Sequence, residues 1–502
     1  MSILRTSAWL CVLACSVRNT AAAAGNAYEI VDILTASTAA DTRSKDWKPG
    51  EGLPLEVGGM DWTADGKLAV AIRKGEVWIL DGVLDTPPQK LSFKRFASGL
   101  QEPLGLLREG NALWVTQRTE TTRLSDTDGD GVADEYLTAG HGWNVSGSYH
   151  GYAYGPRRDG AGNLWVTLNL DMGEHSDNSK PWRGWGGILG KDGRFVPLAA
   201  GMRSPCGLGA GPDGEMFCVD QQGTWIPTTP IYHLRKGAFY LNPEGIASQL
   251  LPDSPVHLSR AVPQKCAYPE AVRQLPEMCP PAVWLPYNKM GRSGTDLATC
   301  EAGGRFGPFD GQMFVAEFTD AKINRVFFEK IDGQYQGACF PFVGGFASGI
   351  VRLCFAPDGS LMVGMTSRGW SSLGTKAYGL QRLRFTGHTP FAIREMRALS
   401  DGFELVFTKP VDPASASRPD AYRMQNYTLF YSGAYGGDEI DAVSNPIRAA
   451  TLSADRTRVR LRVDGMRPLY IHELHAAGVR SEDGAALDHA QAYYTLNRIP
   501  RD

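Results

Sequence analysis

A short phrase recurs along the chain: a Gly-containing turn, often Asp-Gly, feeds an apolar triplet that closes on valine. Its copies are Asp65-Gly66-Lys67-Leu68-Ala69-Val70, Glu109-Gly110-Asn111-Ala112-Leu113-Trp114-Val115, Gly162-Asn163-Leu164-Trp165-Val166, Asp213-Gly214-Glu215-Met216-Phe217-Cys218-Val219, Asp310-Gly311-Gln312-Met313-Phe314-Val315 and Asp358-Gly359-Ser360-Leu361-Met362-Val363. Apolar runs this short, bounded by turns, read as strands rather than helices. The closing valines lie 45, 51, 53, 96 and 48 residues apart, close to the length of a four-stranded propeller blade. The wide gap falls over the Pro-rich residues 240–297, which lack the phrase and read as an insertion. The alternating run Tyr378-Gly379-Leu380-Gln381-Arg382-Leu383-Arg384-Phe385 precedes a Gly387-His388-Thr389-Pro390 break. Short alternating runs after it, such as Phe403–Phe407 and Val459–Val463, suggest a small β-sandwich. The expected fold is all-β: a six-bladed β-propeller over 25–387, followed by an immunoglobulin- or fibronectin-like sandwich over 388–502.

Composition agrees with many tight turns between aromatic-rich strands, with 58 glycines, 12 tryptophans and 18 tyrosines in 502 residues. Lys plus Arg is 51 and Asp plus Glu 54, so no basic excess exists to attract nucleic acid. Residues 1–24 read as an export signal, with Arg5, an apolar stretch from Ala8 to Ala14 and small residues Ala21–Ala24. Val12-Leu13-Ala14-Cys15 loosely resembles a lipobox, so an outer-membrane lipoprotein is the alternative to a periplasmic or extracellular protein. No later stretch is long and apolar enough to span a bilayer. Seven cysteines follow the signal, and Cys266 with Cys279 is the expected disulfide. Zinc, attached haem, Walker and GxSxG motifs are absent.

Propeller geometry turns repeat positions into a site, because loops entering the innermost strand and loops leaving the second strand share one face. Glu102, His150, Arg203, Asp296 and Ser348 fall on the first set. Gln117, Arg118, Asn169, Asp171, Asp220, Gln221, Gln222, Glu317 and Arg368 fall on the second. His150 suits proton abstraction near neutrality, or is a hydrogen-bonded structural residue. Arg203 suits a carboxylate or ketone ligand, or an inter-blade salt bridge. Trp143, Trp225, Trp284 and Trp370 are candidates for stacking on sugar rings, or for packing between blades. Asp126, Asp128, Asp130 and Asp134 match the first half of an acidic calcium loop, but Leu137 stands where an EF-hand needs Glu.

Residues 58–385 resemble the glucose/sorbosone dehydrogenase-like six-bladed propellers, in particular the exported membrane-bound-dehydrogenase-like proteins of environmental bacteria. The phrases carrying this are Leu113-Trp114-Val115-Thr116-Gln117-Arg118, Asp126-Thr127-Asp128-Gly129-Asp130-Gly131, Gly369-Trp370-Ser371-Ser372 and Tyr378–Leu383. The resemblance implies His150 as general base beside pyrroloquinoline quinone, Arg203 in Gly201-Met202-Arg203-Ser204-Pro205-Cys206-Gly207 as a quinone contact, and Gln222-Gly223 near a bound calcium. The sequence departs from the family where a lysine is replaced by Thr319, with Lys322 nearby, and where paired arginines are replaced by Gly349 and Val351, with Arg352 offset. The resulting expectation is an exported sugar or polyol dehydrogenase, pyrroloquinoline-quinone-dependent if the pocket still holds the cofactor. It would act on a sugar, polyol or oligosaccharide with an unnamed electron acceptor. The alternatives are a glycan hydrolase or lyase using Glu102, Asp220 or Glu317, and a non-catalytic glycan-binding module.

Overall fold

Each Gly-turn phrase forms the second strand of a blade: Leu68–Ile72, Ala112–Thr116, Leu164–Leu168, Met216–Val219, Met313–Glu317 and Leu361–Thr366. The glycine before each has φ between 61 and 88°, a left-handed turn conformation that residues with a Cβ adopt only at a cost. The computed structural model describes residues 27–35, 54–86, 88 and 91–501, so the expected export signal lies outside the described residues. The innermost strands are Val57–Trp62, Leu106–Glu109, Ala153–Arg158, Gly207–Ala210, Gly294–Thr299 and Ile350–Phe355. Each packs beside the next and the last packs beside the first, which closes a six-bladed ring. Backbones crowd at the axis: a Cβ on Gly105 would lie 1.9 Å from the Gly155 carbonyl oxygen, and one on Gly207 2.6 Å from the Asp296 Cα.

The sixth blade is completed from the other end of the chain. Tyr28–Thr35 pairs antiparallel with Tyr378–Phe385, from Tyr28 opposite Phe385 to Thr35 opposite Gly379 with a one-residue shift between Asp32 and Leu34, so ring closure joins the two ends of the propeller segment. In the fourth blade the outer strand is Val283–Leu285, paired with Thr229–His233. Residues expected to belong to the 240–297 insertion are therefore divided. Val283–Leu285 and Gly294–Thr299 are blade strands, while the excursion before them carries the helix Tyr268–Gln274.

Beyond the ring, one sheet of Ile393–Leu399, Gly402–Phe407, Arg458–Val463 and Ile447–Leu452 shares a core with a second sheet of Arg423–Tyr431, Tyr470–His475 and Gln491–Leu496. Phe403, Leu405, Val459, Leu461, Leu474 and Tyr494 fill the space between them, as alternating strands of a sandwich require. The second sheet is continuous with the fifth blade, because Gly337, Ala338 and Cys339 pair with Thr495, Tyr494 and Tyr493. The excursion is stitched on as well, with Cys266 opposite Tyr431.

That pairing explains a correction to the expected disulfide. Cys266 and Cys279 are both free thiols. Cys266 is fixed by its strand partner Tyr431, whereas Cys279 is held by its N–H donating to the Phe239 carbonyl at 2.7 Å and by the Arg235 Nη2 at 3.3 Å from its sulfur. Among the described residues no helix is long and apolar enough to cross a membrane.

Candidate functional site

His150 sits where the chain turns into the third blade, half-buried. Its Nδ1 faces the Met172 carbonyl oxygen at 3.3 Å. A carbonyl can only accept, so Nδ1 carries the proton and Nε2 keeps its lone pair. Ser148 fixes the turn, its hydroxyl accepting from the His150 N–H at 3.2 Å and donating to the same Met172 carbonyl at 3.0 Å. Burial holds the imidazole below its ordinary pKa, and the nearby Arg203 and Arg118 cations push the same way; the Met172 carbonyl and the Asp171 carboxylate pull against them. The ring is therefore neutral at pH 7.

His150 opens into a cavity at the channel mouth of about 110 Å³, which Arg203, Gln221, Arg368 and Trp370 also line. Five of the loop residues expected at the mouth, His150, Asn169, Arg203, Gln221 and Arg368, thus meet, together with the expected Trp370. The described lining contains four arginines, Arg73, Arg203, Arg352 and Arg368, and no carboxylate. Three of these arginines are engaged by other groups. Arg352 spends its donors on the carbonyls of Gly58, Leu104, Thr295 and Val351 at 2.7–3.0 Å. Arg73 pairs with Glu102 at 3.0 Å and donates to the Tyr152 hydroxyl at 3.0 Å. Arg368 pairs with Glu56 at 3.1 Å from a half-exposed position. Arg203 is the least engaged: its Nη1 has only the Ser204 hydroxyl, at 3.3 Å, and its buried Nε, like that of Arg73, has no hydrogen-bond partner. An unsatisfied buried cationic donor is costly unless a ligand or water completes it.

The remaining expected residues shape the site without lining the cavity, which corrects the sequence reading. Asp220 lies fully buried behind Arg203 and Ser204, accepting their backbone N–H groups at 2.7 and 2.6 Å and that of Gln221 at 2.7 Å; burial raises its pKa to about 6 despite those donors. Glu317 is likewise buried, accepts from the backbones of Arg292 and Ser293 at 2.7 Å and of Asp320, and is raised by burial. Glu102 is held between Arg73 and Arg118, each at 3.0 Å. Arg118 also clamps the Ser148 and Tyr149 carbonyls, and Gln117 is tied to Gln101 and Thr122. Gln222 donates to the Pro227 carbonyl at 3.1 Å. Gly223 makes no cavity wall but gives Arg203 its place: a Cβ there would lie 2.1 Å from the Arg203 Nε. Trp225 packs against Tyr431 at a centroid distance of 5.6 Å, and Trp143 and Trp284 are core residues. Of the four tryptophans only Trp370 reaches the mouth.

Sequence reasoning passed over Arg73 and Tyr152. Arg73 leaves the second strand of the first blade, so the repeat rule that selected Gln117 and Arg118 would have found it.

Away from the mouth, Asp126, Asp128 and Asp130 each bring an oxygen within 4.8 Å of the others, the geometry of a cation site. Asp134, expected as a fourth ligand, is instead engaged by the Thr127 N–H at 2.8 Å and its hydroxyl. Lys94 donates to the Asp130 carbonyl beside the cluster.

These observations define a six-bladed propeller with a cationic, histidine-bearing cavity at the channel mouth. No family model matches the chain, and no curated protein matches it. Among solved structures, the PQQ-bound aldose sugar dehydrogenase of Streptomyces coelicolor is similar at 13% identity and a TM-score of 0.45, covering 72% of this chain and 99% of its own. The soluble aldose sugar dehydrogenase of Escherichia coli in its apo form is similar at 12% identity and 0.47, covering 71% and 99%. The holo PQQ domain of a pyranose dehydrogenase from Coprinopsis cinerea is similar at 13% and 0.46, covering 72% and 96%.

The cavity does not fit pyrroloquinoline quinone, a tricarboxylate. Arg73, Arg352 and Arg368 are already bound to Glu102, backbone carbonyls and Glu56, which leaves Arg203 as the least engaged cation of the described lining; Val351 rather than a cation lines the wall, and Lys322 is paired with Asp320 at 3.0 Å.

Proposed function

We propose that this protein is a carbohydrate-acting oxidoreductase that oxidises a saccharide or polyol hydroxyl at the channel mouth. The observation that carries this reading is the orientation of His150, whose Nδ1 is tied to the Met172 carbonyl while the ring lines the same cavity as Arg203. In this reading Nε2 takes the hydroxyl proton, Arg203 and Gln221 orient the sugar oxygens, and the hydride from the same carbon passes to a two-electron acceptor of the quinone class supplied from solution, which leaves the carbonyl product and the reduced quinol. The protein's part is positioning and proton removal. The hydrolase or lyase reading has no support from the described cavity, since Glu102, Asp220 and Glu317 are all engaged outside it. A binding module remains the second reading, favoured by the exposed Trp370 at the mouth.

The test is a dye-reduction screen against aldoses, uronates and polyols, with and without added pyrroloquinoline quinone and calcium. His150→Gln should lower turnover by about 10²–10⁴-fold, the usual contribution of general-base catalysis, with circular dichroism unchanged. Full activity in His150→Gln would overturn the mechanism; saccharide binding without any oxidation would favour the binding module.

A further inference from the structure

The C-terminal region reaches the mouth. Between Arg423–Tyr431 and Glu439–Ser444 a hairpin loop folds onto the 222–227 loop of the fourth blade. Gly436 N–H donates to the Gly223 carbonyl at 2.9 Å, Gly437 N–H to Pro227 at 3.0 Å, and Trp225 N–H to Ala434 at 3.3 Å. This docking places the Tyr435 ring 5.4 Å from the Arg203 guanidinium carbon while leaving Tyr435 64% exposed. From the sixth blade Trp370, 65% exposed, lines the same cavity, and so does Tyr149, 49% exposed, from the loop entering the third. Tyr149 and Trp370 line the cavity and Tyr435 stands beside it on Arg203; large exposed aromatic surface at the mouth of a cavity marks a binding site.

Two chemistries therefore meet. The floor offers the Arg203 guanidinium, whose Nη1 has only the Ser204 hydroxyl at 3.3 Å, with no carboxylate among the described lining residues; Arg368 at the edge is held by Glu56. The rim offers flat faces suited to the C–H faces of pyranose rings. We propose that the mouth takes the end of an anionic oligosaccharide, a uronate- or sulfate-bearing chain, with the anionic group against Arg203 and a further sugar ring on Tyr435 or Trp370. The C-terminal hairpin then belongs to the binding site through Tyr435. This inference rests on the reading of the cavity as a saccharide site, and it adds the charge and length of the substrate.

The experiment is isothermal titration calorimetry on the full chain with cellotetraose, tetragalacturonate, a sulfated carrageenan tetrasaccharide and monomeric galacturonate. An anionic tetrasaccharide should bind about 10–100-fold more tightly than cellotetraose, the factor expected for a charge-assisted contact, and the advantage should shrink in high salt. The two anionic probes separate carboxylate from sulfate recognition. Tyr435→Ala and Trp370→Ala should each weaken the tetrasaccharide by about 2–10-fold and leave galacturonate unchanged. Tyr435→Phe, which keeps the ring, should restore the affinity. Equal binding of neutral and anionic probes, or no effect of either alanine variant with melting temperatures intact, overturns the inference. Oxidation of neutral monosaccharides with no rim effect would sink this inference alone, and tight anionic binding with no oxidation of any sugar would sink the oxidoreductase reading alone.

Discussion

Gly223→Ala is the perturbation that most directly tests how the cavity is built, because it changes no lining residue. An ideal Cβ at position 223 would lie 2.1 Å from Arg203 Nε, 2.3 Å from Cζ and 2.4 Å from Cδ. Favourable contacts between heavy atoms begin near 3.5 Å, so more than 1 Å of overlap must be relieved. The backbone at 223 cannot retreat easily, since its N–H and carbonyl are both engaged, with Ile226 at 3.1 Å and with Gly436 at 2.9 Å. The clash is with a side chain, so the guanidinium swings away and the fold survives, at an overpacking cost of about 1–3 kcal/mol. Removing one charge-assisted contact costs about 1.5–3 kcal/mol, which corresponds to a loss of roughly 10–150-fold in affinity for an anionic saccharide. Calorimetry with tetragalacturonate measures this, and Arg203→Lys is the control, because lysine keeps the charge without the planar fork. Wild-type affinity in a folded Gly223→Ala protein would refute the placement of Arg203 against Gly223 as the determinant of binding.

Turnover on a saccharide found by dye reduction should be constant from pH 8 to 7 and fall on the acid side below about 6.5, the ordinary histidine value. Burial lowers the His150 pKa, so the resting imidazole is protonated, and lost as a base, only at a pH below that value, and a limb centred above it would contradict the assignment. In the acidic loop, calcium should raise the melting temperature through linkage; Asp126→Asn should abolish the rise, whereas Asp134→Asn should preserve it, because Asp134 is occupied by Thr127. Equal effects of the two variants would restore Asp134 as a ligand. His472 is fully buried in the sandwich and burial depresses its pKa to about 3. Its neutral form contributes stability that is complete above the unfolded value of about 6.5 and declines as pH falls toward 3, by about 2 kcal/mol at pH 5. Urea melts at pH 7.5 and 5.0 should show this loss in wild type and a smaller one in His472→Gln, and equal losses would place the acid sensitivity elsewhere.

What is encoded within a few residues was legible from the chain alone. A glycine that must adopt positive φ, followed by an apolar run of strand length, specifies a hairpin wherever it occurs, and six copies at blade spacing specify the ring. The ring in turn puts His150, Arg203, Gln221 and Arg368 at one mouth, because each stands at the same step of its own repeat. Tertiary structure decided everything that depends on neighbours far apart in the chain. Asp220 and Arg203 both fall on loops that the repeat places at the mouth, yet one is buried against three amides while the other lines the cavity; only the packing of the loops distinguishes them. Cys266 and Cys279 are near in sequence but remain unbonded because each is fixed to a different distant strand or loop. Tyr435 is the extreme case, a residue in a C-terminal tail with no chemical motif around it. It became part of the mouth because the sandwich continues the fifth blade's sheet and so aims its hairpin at Arg203. Local patterns encode strands and turns, but the side on which two remote surfaces meet is set by the global fit of their packed faces, which short patterns do not carry.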